Sequence, residues 1–196
     1  MALDLDEQDG QTPLDPDENA GLIPRHIDTK GALNDWEQEN ILQATQWLRR
    51  TKIPEVLTED FCRNLHRRMF DKTWKWAGTF RKSDKNIGCD WSLVAVKLNQ
   101  LLGNAHYWVE NETFTPDELA AQFHHALVWI HPFPNGNGRH SRMMADALLK
   151  QLGRKAFSWG GGENLVSANE VRARYLAALR AADRNDFTDL LAFVRS

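Results

Sequence analysis

The sequence predicts an all-α fold, a bundle of six to eight helices with one small β-hairpin, and three observations carry that reading. Apolar residues recur at three- and four-residue spacing in most segments between Asn34 and Val194. Several of these segments open on capping signals, such as Thr115-Pro116-Asp117-Glu118 and Ser167-Ala168-Asn169-Glu170. Only the stretch around Asn86-Ile87-Gly88 has the mixed polar character and central glycine of a short hairpin or irregular loop.

Residues 1–22 are acidic, contain Pro and Gly, and lack apolar periodicity, which predicts an N-terminal arm pinned by Leu22 and Ile23. A single domain is expected over residues 23–196. Its first helix is read from Asn34, a capping residue, to Arg50, with Ile41, Ala44 and Leu48 on one face and Pro54 as the stop. Thr58 to Phe70 follows, with Phe61, Leu65 and Met69 on one stripe; His66 there reads as a structural histidine. Lys82 to Trp91 reads as a small hairpin or irregular loop, and a hairpin there must pack on helices or bind something because an isolated pair of strands is marginal. Leu93 to Trp108 is helical through Val94, Leu98, Leu101 and Leu102. A helix then starts at Thr115, with Pro116 in its first turn, and buries Leu119, Phe123, Leu127 and Ile130. The next helix carries Met143, Ala147 and Leu148 and ends at Gly153. After Gly160-Gly161-Gly162, a helix bearing Val171, Tyr175, Ala178 and Leu179 precedes a short final one from Phe187 to Val194.

The chain has 196 residues, net charge −3 and no basic run, so electrostatic binding of nucleic acid is not expected. No apolar run approaches the roughly 20 residues of a membrane span, and the acidic N-terminus does not read as a secretory leader. A cytoplasmic protein is expected. Cys62 and Cys89 lack metal or redox spacing. His124 and His125 are adjacent rather than four apart, so they diverge around a helix instead of forming a zinc pair; one is expected in the core and the other toward solvent.

The chemically specialised stretch is His131-Pro-Phe-Pro-Asn-Gly-Asn-Gly-Arg-His-Ser-Arg142, lying between two helices. Pro132 and Pro134 forbid helix continuation, while Gly136 and Gly138 permit unusual backbone angles. A tight loop emptying into a helix N-terminus makes backbone N–H groups converge where the helix dipole is positive. Arg139 and Arg142, three residues apart, project from that first turn, a combination that suits a di- or triphosphate. His131 titrates near neutrality and could take a proton from an attacking hydroxyl. Asn137 can orient the loop or a phosphate, and Asn135 offers a carbonyl oxygen to a cation. Tyr175 is a candidate for stacking on a base, or else a packed core residue.

This stretch resembles the Fic signature H-x-F-x-[D/E]-G-N-G-R-x-x-R, matching at His131, Phe133, Gly136, Asn137, Gly138, Arg139 and Arg142. It departs at Asn135, where the pattern has a carboxylate. With Thr12-Pro-Leu-Asp-Pro-Asp-Glu18 and Trp36-Glu-Gln-Glu-Asn-Ile41, nearly the whole chain is similar to the Fic-like group called mobile mystery protein B.

The resemblance implies a protein adenylyltransferase that moves AMP from ATP to a Ser, Thr or Tyr hydroxyl of a target protein, and a toxin-like effector role is among its implications. It implies His131 as general base and Asn135, Gly136, Asn137, Gly138, Arg139 and Arg142 as nucleotide-binding residues, with Phe133 anchoring the loop. It implies a flap over about residues 81–90 that docks the target through Ile87 and Gly88 by adding an edge strand. Gly138, where the Doc branch has lysine, favours AMP transfer. Mg²⁺ is implied as cofactor, held at position 135 and weakened by Asn135, because hard cations prefer charged oxygens. Many Fic proteins carry [S/T]-x-x-x-E-[G/N], whose glutamate pairs with the second motif arginine. Here Glu18-Asn19, Glu39-Asn40 and Glu163-Asn164 lack the Ser or Thr, so an antitoxin-like partner is the alternative restraint. Two other classes stay open: a nucleotide-binding module without catalysis, and transfer of a different phosphate-containing group such as UMP or phosphocholine.

Overall fold

The computed structural model describes residues 13–50, 52, 55–161, 165 and 170–196. Among them run eight α-helices: α1 (Pro16–Asn19), α2 (Lys30–Arg50), α3 (Glu59–Phe70), α4 (Val94–Glu110), α5 (Pro116–Ile130), α6 (Asn137–Gln151), α7 (Glu170–Ala182) and α8 (Thr188–Val194). A 3-10 turn, Trp91–Leu93, leads into α4. The helical architecture is the one the periodicity predicts.

The helices α5 and α6 form the centre, because each is apolar on two faces. Leu119, Phe123, Leu127 and Ile130 of α5, with Met144, Ala147 and Leu148 of α6, belong to a large core shared with α2, α3 and α4. Ala120 and Ala121 of α5, with Ala145 and Leu149 of α6, face the other way onto Tyr175, Leu190 and Phe193 of the α7–α8 pair. Small residues on that second face let α7 and α8 approach closely. Burying side chains such as Phe123 and Leu127, both fully enclosed, contributes roughly 1.5–3 kcal/mol each.

Local signals set the helix ends. The Thr115 hydroxyl accepts from the Glu118 N–H while the Glu118 carboxylate accepts from Thr115 N–H at 2.9 Å, the expected capping box. Thr58 caps α3 through the Phe61 N–H. Gly153, at φ +69°, closes α6 with its N–H on the Lys150 carbonyl. The start of α2 differs from the expectation at Asn34. The helix begins at Lys30, with the Thr29 hydroxyl accepting from Ala32 N–H at 3.3 Å, and Asn34 lies inside it. The earlier start places Leu33, Glu37, Asn40, Ala44 and Leu48 on one buried stripe. Of the two polar residues on that stripe, the Asn40 amide donates to the Arg68 carbonyl and accepts from Lys72 N–H, joining α2 to the end of α3. Pro54, Gly162, Glu163-Asn164, Ser167-Ala168-Asn169 and residues 1–12 of the arm lie outside the described residues.

The expected hairpin at 81–90 is not formed. Among the described residues the only β-pairing is an isolated antiparallel bridge between Leu22 and Trp74, and Lys82 to Asp90 run as bends and extended chain. The physical reason is Arg81. Its guanidinium occupies the carbonyls of Ser83 and Cys89, which two paired strands would have used for each other. Of the arm, Pro16–Asn19 is a helical turn, and Ile23 N–H donates to the Thr73 carbonyl at 2.9 Å. Lys85 reaches back to the arm, 2.9 Å from Asp15 and 2.5 Å from Glu18.

Candidate active site

The loop between α5 and α6 takes its shape from a few enforced angles. His131 ends α5 in the left-handed region at φ +54°, and Gly136 caps α6 at φ +77°. A Cβ on Gly136 would lie 2.4 Å from the Phe70 ring, so glycine is required there twice over, by angle and by space. Phe133, fully buried, stacks on the His66 ring with centroids 3.7 Å apart and fixes the middle of the loop. The Asn137 side chain is consumed inside the loop: its oxygen accepts from Phe133 N–H at 2.9 Å and its amide donates to the Phe133 carbonyl at 2.7 Å. Asn137 therefore orients the loop and leaves the N-terminal N–H groups of α6 to face outward.

His66 is structural in its packing and yet touches the site. Its Nδ1 accepts from Gly78 N–H, so its Nε2 carries the proton and donates to the Asn135 carbonyl at 3.1 Å. Burial and the neighbouring His140 hold its pKa well below the ordinary value. The sequence carried no sign of this second task.

A cavity of about 800 Å³ gathers the expected residues: His131, Asn135, Gly136, Asn137, Gly138, Arg139 and Arg142 line it, together with Ile87 and Gly88. His131 is buried, and its pKa is pushed down to about 4, first by burial and then by the positive charges of Arg81 and Lys85; a hydrogen bond to the Val128 backbone acts in the opposite sense. Its ring is neutral at pH 7, the form a general base needs. Gly88 lies against it, since a Cβ there would meet the His131 Cβ at 2.7 Å. At Gly138 a Cβ would find open space, its nearest neighbour Arg142 at 3.9 Å, so the missing side chain leaves room in the cavity.

The two arginines have different companions. The Arg142 guanidinium sits over the Tyr175 ring at 5.7 Å, while Tyr175 shares a 3.0 Å hydrogen bond with His124. Tyr175 is buried and forms part of the cavity wall. Arg139 is 2.7 Å from Glu37 of α2 and lies over the Phe70 ring at 5.0 Å. The other Glu37 oxygen accepts from Trp74 Nε1 at 2.7 Å. Sequence reading placed Glu37 only as a helix N-terminal residue. A carboxylate four residues after Leu33 and seven before Ala44 on the apolar stripe was the available signal that it needs a buried partner.

The Asn135 side-chain oxygen accepts from Gly136 N–H at 2.6 Å. A cation held there would meet a neutral oxygen, a weaker ligand than a carboxylate. Among the described residues no three His, Cys, Asp or Glu gather as a metal cluster. His124 is buried and His125 faces Asp183 at 2.8 Å, the divergence expected of adjacent helical residues.

A model of the Fic/DOC family matches residues 56–149. The chain is 28% identical over 120 residues to proteins named protein adenylyltransferase Fic from Aedes aegypti and Drosophila melanogaster, an alignment covering 60% of this chain. It spans only 22% and 23% of those relatives' lengths. Among solved structures it is similar to BepC of Bartonella tribocorum, a crystal structure with bound AMPPNP, at TM-score 0.71 and 17% identity, covering 91% of this chain and 95% of that one. It is also similar to Fic-1 of C. elegans (aa134–508) at TM-score 0.65 and 22% identity, covering 90% and 50% of the two chains. Among the described residues no helix is long and apolar enough to cross a membrane. Residues 56–149 thus match the Fic/DOC family, and the fold built around them is similar to those of the solved Bartonella and C. elegans structures.

Proposed function

We propose that this chain is a protein adenylyltransferase acting on a Ser, Thr or Tyr hydroxyl of a target protein. One observation carries the reading: a neutral, buried histidine opens into the same cavity as the α6 N-terminus and two arginines. The names of the relatives at 28% identity support the same class of transfer. The acceptor oxygen forms a bond to the α-phosphorus of ATP, and the bond from that phosphorus to pyrophosphate breaks. His131 takes the hydroxyl proton. Arg139, Arg142 and the N–H groups at the start of α6 neutralise the charge that grows on the departing pyrophosphate, and alignment and charge stabilisation supply most of the rate. Ile87 and Gly88 hold the acceptor segment. Mg²⁺, when bound with the nucleotide, adds positive charge at the phosphates.

The test is transfer of label from α-³²P-ATP to protein in a lysate with Mg²⁺ or Mn²⁺, comparing wild type with His131→Ala. Label lost in the variant while ATP binding persists is the expected result. A second reading, nucleotide binding without transfer, is favoured by the Glu37–Arg139 pair and by the amide at position 135. ATP binding with no label in either protein would select it, and no ATP binding would end both.

A further inference from the structure

Arg81 grips the backbone of His131 rather than lining the cavity, and its surroundings are unusual. Its side chain is fully buried, and the nearest carboxylate, Asp84 at 3.6 Å, is largely exposed. Carbonyl oxygens compensate the charge. Nε donates to the His131 carbonyl at 2.6 Å, Nη1 to Ser83 at 2.9 Å, and Nη2 to Cys89 and, at 3.4 Å, to Ile130. The Ile130 and His131 carbonyls end α5, where the helix dipole is negative, so a cation is favourable there. The Arg81 N–H adds a bond to the Pro132 carbonyl at 2.9 Å.

These contacts join two things that chemistry must hold together. One is the backbone of His131, in a left-handed angle that costs a non-glycine residue about 1 kcal/mol or more. The other is both ends of the 83–89 segment. A planar guanidinium with five donors reaches both at once, whereas an ammonium is a point charge and cannot.

Resting on the assignment of His131 as base and 81–90 as acceptor-docking segment, we propose that Arg81 is a positioning residue: it fixes the distance between the base and the bound hydroxyl. It touches neither nucleotide nor acceptor and acts through the His131 carbonyl and the Ser83 and Cys89 carbonyls.

Arg81→Lys keeps the charge and removes the fork. Its ATP affinity, by calorimetry, stays within about twofold of wild type because Arg139 and Arg142 are untouched. Label transfer falls about 100-fold, the scale of an ångström-sized misplacement. Amide exchange of residues 83–89 rises at least about tenfold, as expected when a local tie is cut. Gly88→Ala is the companion variant: it keeps the guanidinium but drives a methyl against the His131 Cβ at 2.7 Å and Arg81 Nη2 at 3.0 Å, disturbing the same junction from the other side, and the same loss of transfer with retained ATP affinity is expected. Unchanged transfer in Arg81→Lys, or ATP affinity and transfer falling in parallel with the melting temperature, overturns the proposal. Unchanged transfer in His131→Ala would instead remove the base assignment beneath it, so the two failures are distinguishable.

Discussion

Glu37 stands between Arg139 and any incoming phosphate, because one of its oxygens already occupies the guanidinium at 2.7 Å. Glu37→Gln keeps an acceptor for Trp74 and removes the competing charge. ATP should then bind roughly tenfold tighter, on the order of 1.4 kcal/mol, by calorimetry; weaker binding would mean that Glu37 serves mainly to aim Arg139. At Asn135 the expectation runs through the cation. Asn135→Asp restores a full negative charge beside the phosphates and should lower the Mg²⁺ concentration for half-maximal ATP binding several-fold. Identical Mg²⁺ titrations of the two proteins would count against a metal role for this position. His131, the motif arginines and the glycines were legible as one cluster because their residue types have few other reasons to sit together, and the structure lines one cavity with them. Glu37 was not, since its partner lies 102 positions further along the chain and no local pattern announces it.

The loop between α5 and α6 behaves as a unit locked from inside. Phe133 fills the space beside His66, and Asn137 ties both backbone groups of Phe133. Phe133→Ala leaves a cavity in the fully buried core and should cost about 3–5 kcal/mol in urea unfolding. A loss below about 1 kcal/mol would show that the loop is held by Asn137 alone. Helices α3, α5 and α6 could be read from caps and apolar spacing, because local chemistry sets where they begin and end. The 81–90 segment could not. Its composition suits a hairpin, but a long-range grip by Arg81 on the end of α5 takes the backbone groups that a hairpin needs. The start of α2 was displaced to Lys30 for a related reason: Thr29 competes with Asn34 as cap, and packing on α3 decides between them.

Four buried histidines shape the response of the whole molecule to acid. Burial lowers His66 well below its ordinary value, His124 to about 3, and His131 and His140 to about 4. In the unfolded chain these rings take protons near pH 6.5, so between that pH and about 4 the unfolded state binds more protons than the fold. Stability is therefore full above pH 6.5 and falls with pH, by roughly 1.4 kcal/mol per pH unit for each ring. Asp146, pushed up to about 6 by burial, opposes them as a single group, since it holds its proton in the fold at pH values where the unfolded chain has lost it. Urea unfolding at pH 7.5, 6 and 5 should show a steep decline; equal stabilities at the three values would refute this accounting.

The Lys85 ammonium, with Asp15 and Glu18 on either side of it, also sets an order of assembly. Its two partners lie 70 and 67 residues earlier in the chain, whereas α5 and α6 adjoin through a six-residue loop. Closing a short loop costs less entropy than closing a long one, and near-neighbour contacts form faster. The contact between α5 and α6 is thus expected to form before the arm comes down on the 83–89 segment.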